Sequence, residues 1–289
     1  MNVRRVERTA AAIGVVACLV IFFGEASAGS LNPPGPPAPT MKTLDQVEAR
    51  IPIGALPFTI GQSGSYYLTG NLQGVSGQNG ITVKADDVTI DLNGYALIGV
   101  AGSGAGIVLG VPSSRNLTIR NGTIRDWSSQ GIQAEFSLNV LFEDLLVSGN
   151  GYDAVVAGSG LIRHVLVRAN AGRGIAIQDA TGGTIEDCQV IENLASGIVI
   201  YYNGIVTNNN VYHNTFWGIL AANTGNRIEG NHVVANGSYG LISAGTGNIF
   251  TRNTAIGNAG GNYNIAPGND VGPIGTAATA TSPWANISD

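Results

Sequence analysis

The chain has 289 residues, of which 11% are charged and 44% hydrophobic, with 42 glycines and a formal net charge of −5. So little charge beside so much hydrophobicity excludes an intrinsically disordered chain. With no basic run beyond the first residues, a nucleic-acid groove is excluded as well. The length suits one large domain with a substantial core.

In chain order, the first segment reads as an export signal. Arg4, Arg5 and Arg8 form a positive start, Thr9 to Gly24 an apolar stretch, and Ala26-Ser27-Ala28 a small-residue cleavage site. A Sec signal peptide over 1–28 predicts a protein that is secreted, periplasmic or at the cell surface, without an integral membrane span once the signal is removed. Two other readings compete. Val15-Val16-Ala17-Cys18 resembles a lipobox that would leave a lipidated Cys18, although Leu19 to Phe23 continue the apolar run. An uncleaved anchor is the other, but the stretch is short for a span. With the signal gone only Cys188 remains, and no intrachain disulfide is expected.

Residues 29–40 hold five prolines, Pro33, Pro34, Pro36, Pro37 and Pro39, and predict an extended, semi-rigid spacer. Thr43 to Arg50 predict a short helix, capped by Thr43, favoured by Asp45 in its first turn and ended by Pro52. This helix and the short β-like runs from Pro57 onward make residues 41–79 an N-terminal cap.

A repeat then takes over, and we assign it residues 80–270. A small residue followed by aliphatics recurs at Gly80, Gly106, Gly131, Ala154, Gly174, Gly197, Gly218 and Gly240. A second signal closes the later units at Asn150, Asn170, Asn193, Asn214, Asn236 and Asn258. Within each unit, runs of a few residues alternate with period two and are broken by Gly or Asn; helical periodicity is absent. Strands so short cannot pair within their own unit, so they pair in parallel with the same strands of neighbouring units. The expectation is an all-β solenoid of about eight coils, each rising roughly 4.8 Å, with a C-terminal tail or cap over 271–289. The asparagines are expected at sharp corners, in the left-handed conformation that Asn tolerates, with their amides stacked as a ladder.

Columns one coil apart support this register. Asp91, Arg120, Glu143, Arg163 and Glu186 alternate in sign, as unlike charges about 5 Å apart would. The inward column Ile81, Ile107, Ile132, Val155, Ile175, Ile198, Ile219, Leu241 is aliphatic throughout. Gly174-Ile175-Ala176-Ile177 followed by Ile185 and Asn193, with its sister coils, resembles the right-handed parallel β-helix repeat proteins of pectin-lyase-like fold. The resemblance covers about residues 57 to 270. It implies the fold, and it implies no one activity, since that family includes pectate lyases, polygalacturonases, alginate epimerases and phage tailspikes. The Gly-x-Asp-Asp, Gly-His-Gly and Arg-Ile-Lys elements of polygalacturonase-like members are missing, as are the lyase-like Asp cluster and the Asp-Pro-His-Asp signature of the epimerases. Whether the chain is an enzyme is left open by its sequence.

Several groups are candidates for chemistry. Asp86-Asp87 is a carboxylate pair of the kind used in glycosidic acid/base work, and equally a common turn pair. Asp144, His164 and Asp187 follow the charge column by one residue; a histidine between carboxylates on adjacent coils suits general-acid work or metal ligation, or simply completes a polar corner. Trp127, Tyr152, Tyr201, Tyr202, Phe216, Trp217 and Tyr239 lie at turn edges, where their faces would either hold sugar rings or cap the core. No cofactor is expected. Calcium at Asp153, Asp179 or Asp270 would be held singly, since their spacing fits no known calcium loop. The outward column Val108, Gln133, Val156, Ala176, Val199, Leu220, Ile242 is apolar but for Gln133, and so predicts a cover. The segment before Gly80 or the tail after Asn262 is favoured for that role, with a second subunit, hence a homo-oligomer, as the alternative. In the tail, Trp284 beside Pro283 is expected to plug the last coil.

Three readings follow: an exported protein that associates with polysaccharide without turnover, a polysaccharide lyase, hydrolase or epimerase, and a structural or adhesive rod. Fold alone does not choose among them.

Overall fold

The computed structural model describes residues 49–111 and 114–289. The expected signal peptide, the spacer and all of the expected helix except Ala49 and Arg50 lie outside these residues, and those two are not helical. Every strand pair is parallel, and each joins one coil to the next. One strand per coil builds a ten-stranded sheet; the other runs of each coil build a nineteen-stranded sheet that closes the remaining sides. The chain therefore makes ten turns rather than eight. The solenoid begins before Gly80, because Phe58–Ile60 already pairs with Ile81–Val83 although Pro57, not glycine, precedes it.

The expected columns hold. Ile132, Val155, Ile175, Ile198, Ile219 and Leu241 are direct neighbours across successive strands, and all are fully buried. The charge column pairs as Asp91–Arg120–Glu143–Arg163–Glu186. Arg163 donates to Glu143 Oε2 from Nε at 3.0 Å and from Nη2 at 2.8 Å, and this bond raises the guanidinium pKa.

The asparagines stack, but for a different conformational reason than expected. None of the six adopts a positive φ. The residue before each one does: Gly149, Ala169, Glu192, His213, Ala235 and Gly257 have φ between 52 and 65°. That residue turns the corner, and the turn aims the following asparagine into the interior. There each Oδ1 from Asn170 onward accepts two bonds from the asparagine one coil earlier, and that of Asn150 accepts one, from the Trp127 N–H. Asn193 Oδ1 takes the backbone N–H of Asn170 at 3.1 Å and its Nδ2 at 2.9 Å. Two further ladders occupy the other corners, Asn209–Asn231–Asn253 and Asn226–Asn248–Asn269, again each one residue after a positive φ. In earlier coils the same positions hold apolar residues or glycine, such as Leu145, Val165 and Cys188 ahead of Asn209. The small residue that opens each strand makes room for the ladder: a Cβ on Gly218 would lie 2.3 Å from Val233 Cγ1 and 2.9 Å from Asn236 Nδ2.

The far end is closed by Tyr263, which continues the inward column after Leu241. Its hydroxyl lies 2.8 Å from the Asn253 carbonyl and 3.0 Å from that of Ile287, and burial raises its pKa. Trp284 does not plug the coil. It is 50% exposed, beneath the Arg252 guanidinium at 4.7 Å. The tail closes the structure through Asn286 instead, which is fully buried.

Cys188 is buried, and burial pushes its thiol up from an ordinary 9.0 to about 12. The unfolded thiol ionises first, so the stability linked to this group is intact below pH 9.0 and lost as pH rises toward about 12. Urea unfolding is expected to show an alkaline loss of about 1 kcal/mol by about pH 10 that is missing from Cys188→Ala. Equal pH dependence in the two chains would refute this account.

Candidate functional site

The outer face of the ten-stranded sheet carries an apolar strip with Tyr201 and Trp217 packed against it. Alternation puts Ile175 and Ile177 inside and Ala176 outside, and the register stacks Gln133, Val156, Ala176, Val199, Leu220 and Ile242 along the solenoid. Val156, Ala176, Val199 and Leu220 are buried as a second small cluster. Among the described residues, those packed against it are Tyr201, Trp217, Ala222 and Ile242, from the flanks and outer face of the same sheet. Among the described residues, part of the cover that the apolar strip calls for thus comes from neighbouring side chains of the same sheet.

The two flanks meet across the strip. Arg173 precedes its strand and Tyr201 follows the next one, yet Arg173 Nη1 lies 3.4 Å from the Tyr201 hydroxyl. Arg173 also donates from its backbone N–H to Asp153 Oδ1 at 2.6 Å, and from Nε and Nη2 to Oδ2 at 3.1 and 2.7 Å. Burial weighs most against the charge of Arg173, but the hydrogen bond and attraction of Asp153, then Tyr201, prevail and raise its pKa. This assembly was not singled out from sequence. The signal was there: Asp153 and Arg173 stand one residue ahead of Ala154 and Gly174 on consecutive coils. Asp153 is thus engaged by a cation of the chain itself.

Beside the strip, the Phe216 and Trp217 rings lie 4.3 Å apart at 40°. Tyr239 follows Trp217 by one coil, since Gly218 N–H donates to the Tyr239 carbonyl at 3.0 Å. Tyr202 is half-buried beside Tyr201. Tyr152 shares the Phe216 column but stands three coils away, linked through Gly172 and Ala195, or about 14 Å along the rod. Trp127 must leave the set. It is 1% exposed, lies in the main core and donates from Nε1 to the Leu97 carbonyl at 3.3 Å, so neither ring face is open to a ligand. Toward the first coils the same sheet edge carries a cavity of about 290 Å³ lined by Leu109, Gly110, Val111, Gln133, Glu135 and Phe136. There Gln133 Nε2 donates to Glu135 Oε1 at 3.2 Å and Phe136 is 63% exposed. Sequence reading passed over this cavity because nothing in the repeat marks it.

The carboxylate–histidine set lies elsewhere. Asp144, His164 and Asp187 occupy one corner of consecutive coils, each at a φ near +53°. This corner is a bend within the nineteen-stranded sheet. His164 Nδ1 is 3.5 Å from Asp144 Oδ1, and their side chains are 53% and 63% exposed. Asp86 and Asp87 serve turns, accepting from Arg115 N–H at 2.8 Å and Asn116 Nδ2 at 2.6 Å. Asp179 accepts from Thr181 through N–H and hydroxyl, and Asp270 is exposed in the short strand Asp270–Val271. Among the described residues no group of three or more His, Cys, Asp or Glu converges on one point. Among them, too, no helix is long and apolar enough to cross a membrane.

A solenoid of parallel strands with stacked asparagine corners defines a class, and the family model described as "right handed beta helix region" matches residues 105–259. The chain belongs to that family. No curated protein matches it. Among solved structures it resembles the A-modules of two mannuronan C-5 epimerases of Azotobacter vinelandii. With AlgE6 the identity is 18% and the TM-score 0.61, over 83% of this chain and 75% of that one. With AlgE4 they are 15% and 0.60, over 83% and 85%. At these identities the likeness is one of fold.

Proposed function

We propose that this is an exported protein that binds a polysaccharide along the outer face of its ten-stranded sheet, without turning it over. The observation that carries the reading is the rim made by exposed Phe216 and half-buried Trp217 and Tyr239 on neighbouring coils, beside an apolar strip bridged by Arg173 and Tyr201. Aromatic faces give a sugar ring an apolar platform, and the polar ends nearby accept or donate to its hydroxyls. The solved epimerase modules that share the fold act on mannuronan, which supports a uronate polymer as the first ligand to try. Binding without turnover is supported by two features: the Asp144–His164–Asp187 corner lies on a different sheet from the aromatic rim, and the carboxylate nearest the strip, Asp153, is tied up by Arg173. The leader over 1–28 supports export.

Incubation of the protein with a panel of uronate polymers tests both halves. Retention on the polymer is expected with no new unsaturated or reducing ends. The double variant Trp217→Ala/Tyr239→Ala is expected to weaken retention at least tenfold, as the loss of two aromatic contacts implies. Undiminished retention would remove the rim as the site, and the appearance of new chain ends would replace binding with catalysis.

A further inference from the structure

Successive coils lay each strand on its counterpart one coil earlier: Ile249–Thr251 on Arg227–Glu229, and Thr254–Ile256 on His232–Val234. The last coil starts the same way, with Asp270–Val271 on Ile249–Phe250. There the order breaks. The place beside Thr254–Ile256 is not taken by Ile274–Gly275, the next strand in the chain, but by Asn286–Ser288. Ile274–Gly275 is pushed out and pairs only with the far side of this inserted strand. The ladder skips in the same way. Asn209, Asn231 and Asn253 are separated by 22 residues each, but Asn253 and Asn286 by 33.

The inserted strand is recognised by a few local groups. Asn286 Oδ1 accepts from Asn253 N–H at 3.0 Å and Nδ2 at 3.1 Å, and its own Nδ2 donates to the Phe250 and Gly272 carbonyls, both at 3.0 Å. Ile287 N–H donates to the Asn253 carbonyl at 2.8 Å, and Asn262 Nδ2 reaches Ser288 Oγ at 2.9 Å. Residues 276–285, mostly exposed, carry the chain back to this place. Adjacent parallel strands ordinarily need a connection of about a dozen residues or more, so this return is near the shortest that works.

We propose that the slot between Thr254–Ile256 and Ile274–Gly275 is an interaction surface for the Asn286–Ser288 strand of a second copy, and that two chains associate by exchanging that strand. Slot and strand lie at the same end of the rod, so two copies meeting end to end each present what the other accepts, as a two-fold pairing requires. Nothing in the recognition depends on the strand arriving from its own chain. Every bond above is made by the tripeptide Asn-Ile-Ser, and a connection too short to return would leave the partner's slot as its place.

The test is a full chain lacking residues 277–280. Its mass in solution is expected to double, and adding Asn286→Ala is expected to return it to the single-chain mass. A deletion chain that stays folded at the single-chain mass overturns the proposal. A double mass that survives Asn286→Ala does so too, by placing the contact elsewhere. If the deletion prevents folding, amide exchange in the unaltered chain decides. Ile287 is expected to exchange at least tenfold faster than the 254–256 strand, by separate opening of the inserted strand. Exchange at one common rate would mean that this strand never leaves its slot short of global unfolding, and the proposal falls.

Discussion

Asn214→Ala is expected to lower the free energy of unfolding in urea by about 3–5 kcal/mol, far beyond the cost of an exposed corner substitution. The reason is how many groups one amide satisfies. Asn214 Oδ1 accepts the Asn193 N–H at 3.1 Å and its Nδ2 at 2.9 Å, while Asn214 Nδ2 donates to the Val190 carbonyl and to Asn236 Oδ1, both at 3.0 Å. Alanine leaves two donors and a carbonyl without these partners in a place that water does not reach, and each such orphan costs about 1–3 kcal/mol. Asn208→Ala provides the comparison. Asn208 is exposed with a φ of 56°, so its replacement costs only the left-handed preference, about 1 kcal/mol. If the two variants unfold at the same urea concentration, the ladder does not hold the coils together.

The same ladder explains how far the sequence could be read. Register was legible because every coil repeats one spacing and a one-residue slip would turn each inward aliphatic to solvent. That is why the columns from Ile81 to Leu241 and from Asp91 to Glu186 came out as direct neighbours. The conformational role of the asparagines was not legible. Composition cannot tell whether Asn turns the corner or follows it, and the turning positions hold residues as unlike as Ala169, Glu192, His213 and Arg252. The ends were misjudged for a related reason. Pro57 stands where later coils carry a small residue, and Asn286 enters its ladder out of step with the period. Of the site, the nearness of Trp217 to Phe216 and Tyr239 followed from spacing alone. The bridge from Arg173 to Tyr201 depends on side-chain reach across a sheet, which spacing does not encode.

Trp127→Ala is expected to cost about 3–5 kcal/mol, the range for emptying a buried tryptophan site, and to leave polymer retention unchanged once the protein is folded. Trp127 lies 23 residues before Asn150 in the first ladder's own column, and its N–H donates to Asn150 Oδ1 at 3.1 Å. Where later coils carry an amide, this one carries an indole. The glycines around it have made the space: a Cβ on Gly80 would lie 2.6 Å from the ring and one on Gly74 2.7 Å, while Gly99 lies against the Trp127 backbone. Two explanations of the site therefore separate. If the column requires an amide, Trp127→Asn should restore stability by lengthening the ladder. If the glycines require volume, Trp127→Asn should recover no more than about 1 kcal/mol of the loss, the net worth of an added hydrogen bond. We expect the second, because Asn cannot fill a void shaped by three glycines of neighbouring coils that border the ring, Gly74, Gly80 and Gly106. An Asn variant as stable as the unaltered chain would reverse that assignment and make Trp127 an interchangeable rung.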